Sequence, residues 1–595
     1  MNVQDELIDY LTVNAAYEPA AIPTTRAFTF LTKLTGMPQL WTLDEKDEPV
    51  QLLHTHDRVL SVFHSPDGNK TVIGIDHEGN EKQQLYIVDS TGGEPQVLVE
   101  STENFHHCGG WSPDGKWIAY SSNRRHPGFF DVFIIHVETG ETKQVFTYDA
   151  NCVPVGWIDN ESLFVMTKET NIDSTVHIVT INGGESKRLM RDGVRARFGT
   201  PVIIPGTRTG YVLTDYHEDT LYIAKFSLDH LDALARVRHW EQWDIDEMSL
   251  SPNGQALAFC VNTGGVSKLG IYYPETDSYI LANPVEKHVI DSLSWLSDNK
   301  LVFGLKTPTQ PGDIWTYDIQ SKKMERLTFI SASETVGNYW VEPELHTYKS
   351  FDGLEVPYFI YSKGEADNKP AVIYVHGGPE GQTKADYNPV LQYLVHKGFT
   401  VVAPNIRGSN GYGRKYLQLD DADKRLDAVA DLASLTEELA KIHHVDSTKI
   451  GIMGRSYGGF MVLAALTHYP ELWAAGVDIV GMSNLRTFLQ NTGEWRRYLR
   501  EFEYGSLAAH SDYFEEIAPM NLTHKITAPL LVFHGRNDTR VPVSEAEQLV
   551  RDLQERDREV ELIVFEDEGH QTEKIGNHIT MHTKTVAFFS RYLGE

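Results

Sequence analysis

Lys449-Ile450-Gly451-Ile452-Met453-Gly454-Arg455-Ser456-Tyr457-Gly458-Gly459-Phe460 is the stretch on which the reading of this chain turns. A short apolar run ends at Gly454, Ser456 stands between glycines two residues away on each side, and an apolar, alanine-rich segment runs on to Leu466. That order predicts strand, tight turn, helix. In such a G-x-S-x-G turn the small neighbours let the backbone hold the serine in a strained conformation above a sheet edge, with its hydroxyl presented. The helix that follows aims free N–H groups at any oxyanion formed there. Glycines and a serine also meet in ordinary turns, so the strand before and the helix after carry the meaning.

Around this turn, apolar strands alternate with helices: strands over 371–375, 399–403, 449–453, 475–480, 529–533 and 560–565, and helices over 421–443, 544–555 and roughly 579–593, preceded by an antiparallel pair (345–350 and 354–361) around Asp352-Gly353. Strands alternating with helices predict an α/β hydrolase type of domain, a mostly parallel doubly wound sheet with its chemistry at the strands' C-terminal ends. A serine hydroxyl is a poor nucleophile at its own pKa, so Ser456 needs a base, and the base needs an orienting acid. In this architecture the order is nucleophile, acid, histidine. Asp538 follows the strand ending at Phe533, and His570 follows the last strand. Glu566, Asp567 and Glu568 compete with Asp538, but they lie on the histidine's own loop. His376-Gly377-Gly378-Pro379, after the first parallel strand, is a loop of the kind that offers a backbone N–H to an oxyanion, so Gly378 and Tyr457 are the expected donor pair.

Upstream, from about 25 to 335, short strands separated by Gly, Pro, Asn and Asp turns replace the helical pattern. Ser65-Pro66-Asp67-Gly68 recurs as Ser112-Pro113-Asp114-Gly115 and as Ser251-Pro252-Asn253-Gly254, and related turns at 158, 204 and 296 fill the gaps, giving spacings of 45 to 47 residues. A period in the forties made of short strands predicts propeller blades, six from these anchors and a seventh from 26 to about 53. Residues 4–15 place Leu7, Ile8, Leu11 and Ala15 at helical spacing, and 19–25 reads as a linker. The expected division is therefore 1–24, helix and linker on the hydrolase domain; 25–335, an all-β seven-bladed propeller; and 336–595, the catalytic domain.

Composition sets outer limits. At 595 residues the chain needs at least two domains, and no apolar run approaches the ~20 residues of a membrane span. The first residues lack the basic and apolar regions of a signal peptide. Cys108, Cys152 and Cys260 are widely spaced, with no C-x-x-C, so free buried thiols in a reducing cytoplasm are the simpler reading. A formal net charge of −30 argues against nucleic acid as a partner.

Taken together, His376-Gly377-Gly378-Pro379, Asn405-Ile406-Arg407-Gly408-Ser409-Asn410-Gly411-Tyr412-Gly413, the Ser456 turn, Asn537-Asp538-Thr539-Arg540-Val541-Pro542 and Glu568-Gly569-His570 resemble the prolyl oligopeptidase family of serine peptidases, and within it the acylaminoacyl peptidase branch. The resemblance implies a seven-bladed propeller before the hydrolase domain and an N-terminal helix returning to it, a Ser456, Asp538, His570 triad, and no metal or cofactor. It implies that Arg540 holds a substrate carbonyl and that an apolar pocket draws on Val480, Met482, Phe488, Trp495 and Tyr498. Two features depart from the family pattern: Gln571-Thr572-Glu573 follows His570 in place of Gly-Phe, and 25–335 lacks the adjacent Glu pair with which the dipeptidyl peptidase branch holds a free amine. The expectation is a peptidase for short, N-acylated peptides. An esterase, an aminopeptidase or carboxypeptidase of the same family (the last needing a cation such as Arg496 or Arg497) and a binding module on an inert hydrolase domain are the alternatives. The sequence leaves homo-oligomerisation open.

Overall fold

The computed structural model describes residues 3–594 apart from 192, 283–285, 332, 334–335 and 365–367. The expected boundary at 335, and the chain ends at 1, 2 and 595, lie outside the described residues.

The C-terminal half is one eight-stranded sheet. Its strands are β1 (Glu344–Lys349), β2 (Glu355–Tyr361), β3 (Lys369–Val375), β4 (Thr400–Pro404), β5 (Val445–Arg455), β6 (Ala475–Ile479), β7 (Leu530–Gly535) and β8 (Val560–Phe565), in the order β1-β2-β4-β3-β5-β6-β7-β8. The first two pair antiparallel, β2 meets β4 antiparallel, and every pairing from β4 to β8 is parallel. Such a sheet must be covered on both faces, and the side-chain alternation of its strands supplies two cores. Ile373, Val402, Val532 and Leu530 point into one, with α3 (Arg425–Ile442) and α4 (Tyr457–His468). Val372, Val401, Leu531 and Phe533 point into the other, with α2 (Pro389–His396) and α7 (Ile575–Leu593). Both cover layers are apolar because a fully buried Leu, Ile or Val stabilises by about 1.5–3 kcal/mol.

The N-terminal helix α1 (Val3–Leu11) joins the second of these cores through Leu7, Tyr10 and Leu11, and its Glu6 pairs with Lys397 just past α2. The linker expected at 19–25 is a correction. Ala16–Ala21 is a strand antiparallel to Phe28–Thr32, with a register shift between Tyr17 and Ala20. Pro19 is tolerated there because this strand ends its sheet, where a missing N–H leaves no ladder bond unmade.

From Ala16 to Arg326 the described residues form five four-stranded antiparallel sheets and one eight-stranded sheet, the latter being two such sets bridged at Phe130 and Asn151. Apolar clusters fill the space between consecutive sets, and one more, containing Ala16, Phe28, Phe30, Val302 and Ile314, joins the last set to the first. The repeated turns have a structural reason: Ser65 and Ser112 are buried and hydrogen-bond to Asp67 and Asp114 two residues on, as Ser251 does to Asn253. A tryptophan just before some of these turns ties neighbouring sets. The indole N–H of Trp111 donates to the Phe63 carbonyl, that of Trp157 to Gly110 and that of Trp295 to Ser249, at 2.9 to 3.1 Å. The three cysteines are free and buried. Among the described residues no helix is long and apolar enough to cross a membrane.

Candidate active site

β5 ends at Arg455 and α4 begins at Tyr457, leaving Ser456 alone in the turn, at φ 59° and ψ −116°. That is backbone strain for a non-glycine residue. The turn closes because its neighbours lack side chains: a Cβ on Gly454 would lie 2.4 Å from the Gly458 carbonyl oxygen, and one on Gly458 would lie 2.1 Å from that of Val375. The Ser456 N–H donates to the Ile479 carbonyl of β6 at 2.8 Å and its carbonyl accepts the Phe460 N–H at 3.0 Å, so the serine backbone is held on both sides. Among the described residues the hydroxyl itself has no hydrogen-bond partner. Tyr457 is buried; its phenol donates to Asp420 at 2.9 Å and accepts from Arg425 at 3.0 Å. Its N–H lies in the first helical turn, where the helix supplies no acceptor.

Asp538 and His570 sit on the loops after β7 and β8. Nδ1–H of His570 donates to Asp538 Oδ2 at 2.7 Å, and Oδ1 accepts the N–H groups of Arg540 and Val541 at 2.8 and 2.9 Å. Burial pushes the Asp538 carboxyl upward, but the His570 and His534 imidazoles and the backbone donors outweigh it and hold the pKa below the usual carboxylate value. With its Nδ1 proton committed, His570 presents Nε2 as the basic nitrogen. The rival carboxylates are engaged elsewhere, Glu566 with Arg536, Asp567 with Lys574, and Glu568 with the N–H groups of Glu573 and Lys574. Arg455, the residue before the serine, is directed inward and donates to the His570 carbonyl at 2.6 Å.

β3 delivers His376-Gly377-Gly378-Pro379, with a cis bond before Pro379. A Cβ on Gly377 would stand 3.5 Å from that of Ser456, so this loop lies against the serine. The His376 Nδ1–H donates to the Gly377 carbonyl at 2.9 Å, and Nε2 pairs with the Ser409 hydroxyl at 2.8 Å. The Gly378 carbonyl accepts from Arg500 at 3.3 Å, and Arg500 pairs with Glu380 at 3.0 Å.

The remaining sequence candidates are placed as follows. Arg540 is gripped by Glu81, a residue of the repeated-sheet half, through Nε and Nη2 at 2.7 to 2.9 Å, and Thr539 donates to the same carboxylate. Burial would raise the Glu81 pKa, but Arg540 holds it below the usual value. Val480 (φ 49°), Met482 and Phe488 are core residues, 1–2% exposed. Trp495 packs on Phe105, with ring centroids 5.5 Å apart. The Tyr498 hydroxyl donates to the Lys168 carbonyl and accepts the Asn151 N–H, at 3.0 and 2.9 Å, so it spans the two halves of the chain. Glu573, in the segment that departs from the family pattern, pairs with Lys33 and Arg58 of the repeated sheets. Sequence reasoning missed Glu81, Lys168 and Arg500, because only tertiary contacts bring them here; Arg455, directly before the serine, and Glu380, directly after the H-G-G-P loop, were within its reach.

Among the described residues, Asp420, Asp421 and Glu503 form a group with the spacing of metal ligands. The Arg425 guanidinium already bridges Asp420 and Glu503, so the cluster carries its own cation.

Residues 385–595 match the model of the prolyl oligopeptidase family. The match lies in the part of the chain that carries Ser456, Asp538 and His570. Dipeptidyl aminopeptidase BIII of Pseudoxanthomonas mexicana is 32% identical over 237 residues, 39% of this chain and 34% of the relative. Acylamino-acid-releasing enzyme 1 of Oryza sativa subsp. japonica is 25% identical over 260 residues, 42% of this chain and 33% of the relative. The chain thus spans about a third of the length of these relatives. A puromycin-hydrolysing peptidase of Mycobacterium tuberculosis superposes with a TM-score of 0.87 at 19% identity, over 100% of this chain and 96% of the other, a likeness of fold. That likeness of fold extends over the repeated sheets as well as the eight-stranded sheet.

Proposed function

We propose that this chain is a serine peptidase that hydrolyses short, N-acylated peptides. Ser456 attacks the scissile carbonyl, His570 takes its proton at Nε2 and returns it to the leaving amine, Asp538 fixes the imidazole tautomer, and the N–H groups of Tyr457 and Gly378 receive the oxyanion. The observation that carries the reading is the 2.7 Å bond from His570 to Asp538, on loops flanking a serine at φ 59°. The repeated sheets act as a seven-bladed propeller from Ala16 onward, a reading supported by the cluster that joins the last set of strands to the first; they restrict entry to short chains. The Glu81 carboxylate is committed to Arg540, which favours a blocked amine over a free one in the substrate.

The test compares wild type with Ser456→Ala on matched N-acetylated and free chromogenic amides and one ester. Cleavage of acetylated amides by wild type alone is the expected result. Cleavage of the ester alone would make the protein an esterase, and activity surviving in Ser456→Ala would overturn the mechanism. Rapid cleavage of a native globular protein would contradict the restricted entry.

A further inference from the structure

His570 stands in the middle of the loop that joins β8 to α7, and its ring is tied to Asp538 at Nδ1. One hydrogen bond leaves an imidazole free to pivot about that nitrogen, so the direction of Nε2 depends on where the main chain of the loop lies. The loop is pinned on either side of the histidine. The Glu568 carbonyl accepts the Asn537 N–H at 2.9 Å, and the Glu568 carboxylate accepts the N–H groups of Glu573 and Lys574 at 3.1 and 2.9 Å. Between these pins the His570 carbonyl takes one hydrogen bond among the described residues, from Nη1 of Arg455 at 2.6 Å.

Arg455 is the last residue of β5 and is bonded to Ser456, so a single residue joins the nucleophile to the main chain of its base. It reaches from a fixed strand end: its backbone is in register with Ile479 of β6, and its carbonyl oxygen would lie 3.0 Å from a Cβ on Gly377 of the oxyanion loop. The guanidinium is aimed as well. Its Nη2 lies 3.9 Å from the sulfur of Met581, a buried residue of α7 that also receives the Thr572 hydroxyl at 3.7 Å.

Charge pairing does not account for this cation. Among the described residues no carboxylate pairs with Arg455, and those whose charge it feels are committed: Glu573 to Lys33 and Arg58, Asp538 to His570, Glu568 to backbone N–H groups. Burial lowers its pKa, yet a guanidinium stays charged at neutral pH. An apolar side chain would fill the same space without the cost of taking an unpaired charge out of water. What the charge adds is the bond to His570, since charge-assisted hydrogen bonds are roughly twice as strong as neutral ones.

We propose that Arg455 is a positioning residue that holds the His570 main chain at a set distance from Ser456 and so aims Nε2 at the hydroxyl. The inference rests on the reading of Ser456 and His570 as nucleophile and base, and adds the group that spaces them. Arg455 acts through His570 and touches no substrate.

A fluorophosphonate labels Ser456 by the same base-assisted attack, whatever the natural substrate. Its labelling rate is measured for wild type, Arg455→Lys, Arg455→Gln and Arg455→Met, with kcat and KM on an acetylated amide and the thermal midpoint of each. Lysine keeps a cationic donor of nearly the same reach, glutamine is too short for the carbonyl, and methionine has no donor. Labelling and kcat should fall at least about thirtyfold in the Gln and Met variants with KM within about twofold, and the Lys variant should stay within about fivefold of wild type. That order should hold whatever the order of the thermal midpoints. Labelling of Arg455→Met within about threefold of wild type overturns the proposal, as does a Lys variant no faster than the Gln one; that second comparison decides if the Met variant does not fold. Failure of wild type to label would overturn the nucleophile reading and this proposal with it, whereas a labelled wild type with unimpaired variants overturns this proposal alone.

Discussion

The candidate site has two halves built by different means. On the strand-end half, Ser456, Asp538 and His570 are placed by their own backbone: a turn without side chains, loops that close on neighbouring strands, and N–H groups that point at the Asp538 carboxylate. On the interface half, Glu81, Lys168, Tyr498 and Arg540 meet only because the repeated sheets dock against the hydrolase domain. The hydrogen bonds that orient the Asp538 carboxylate and the His570 ring are made within the hydrolase domain. The difference assigns bond-making to local geometry and selection of the substrate to docking, and each variant below strains that division.

The largest effect belongs to the strand-end half. Asp538→Asn keeps the shape but leaves His570 without the acceptor that fixes its Nδ1 proton, and kcat should fall by about 10⁴-fold with KM little changed. A fall in kcat below about tenfold, measured on an acetylated amide, would mean that the imidazole is oriented by something else.

Next comes Asp478, at the end of β6 beside the Ser456 helix, where a Cβ on Gly459 would meet its Oδ1 at 2.3 Å. Burial pushes its pKa up to about 7, only partly opposed by the Gly481 N–H. The fold therefore keeps this proton at pH values where the unfolded chain has lost it. Its contribution is complete below the ordinary aspartate pKa of about 4 and is lost as pH rises through 7, at about 1.4 kcal/mol per pH unit. Asp478→Asn removes that slope, so the variant should outlast wild type in thermal unfolding at pH 8 and match it near pH 4. A constant difference between the two would show that the carboxyl is ionised throughout.

The same contrast decides what the sequence discloses. The Ser456 turn, the strands around it and the loop positions of Asp538 and His570 are legible because each rests on spacing within a few residues: glycines at fixed offsets, apolar runs, a carboxylate and a histidine just past strand ends. The repeat is legible for a related reason, since Ser65, Ser112 and Ser251 each close a turn with a residue two positions on. What stayed hidden is the pairing across hundreds of residues. Nothing near Arg540 announces that Glu81 will hold it, and the aromatic candidate Tyr498 looks like a pocket wall until Lys168 and Asn151 are brought to its hydroxyl. Pro19 misled in the opposite direction, since a proline next to small residues reads as a linker unless the sheet end that tolerates it is known.

Glu81→Gln tests the interface half directly. With its charged partner gone, Arg540 loses its fixed pose, and KM for an acetylated peptide should rise about five- to tenfold while kcat stays within about twofold. A hundredfold loss in kcat at unchanged KM would break the comparison, because the docking surface would then be serving the chemical step.

The smallest effect separates packing inside the repeated sheets from packing at the interface. Trp157 donates to the Gly110 carbonyl between neighbouring sheets, whereas the Trp495 indole N–H, at the contact with Phe105, is buried without a partner. Phenylalanine at 157 gives up a made hydrogen bond and should cost about 0.5–1.5 kcal/mol. At 495 the same replacement removes a buried donor that has no acceptor, so the urea midpoint should hold or rise. A larger loss at 495 than at 157 would mean that the interface is packed as tightly as the repeated sheets themselves, and docking would then be part of the fold's own stability.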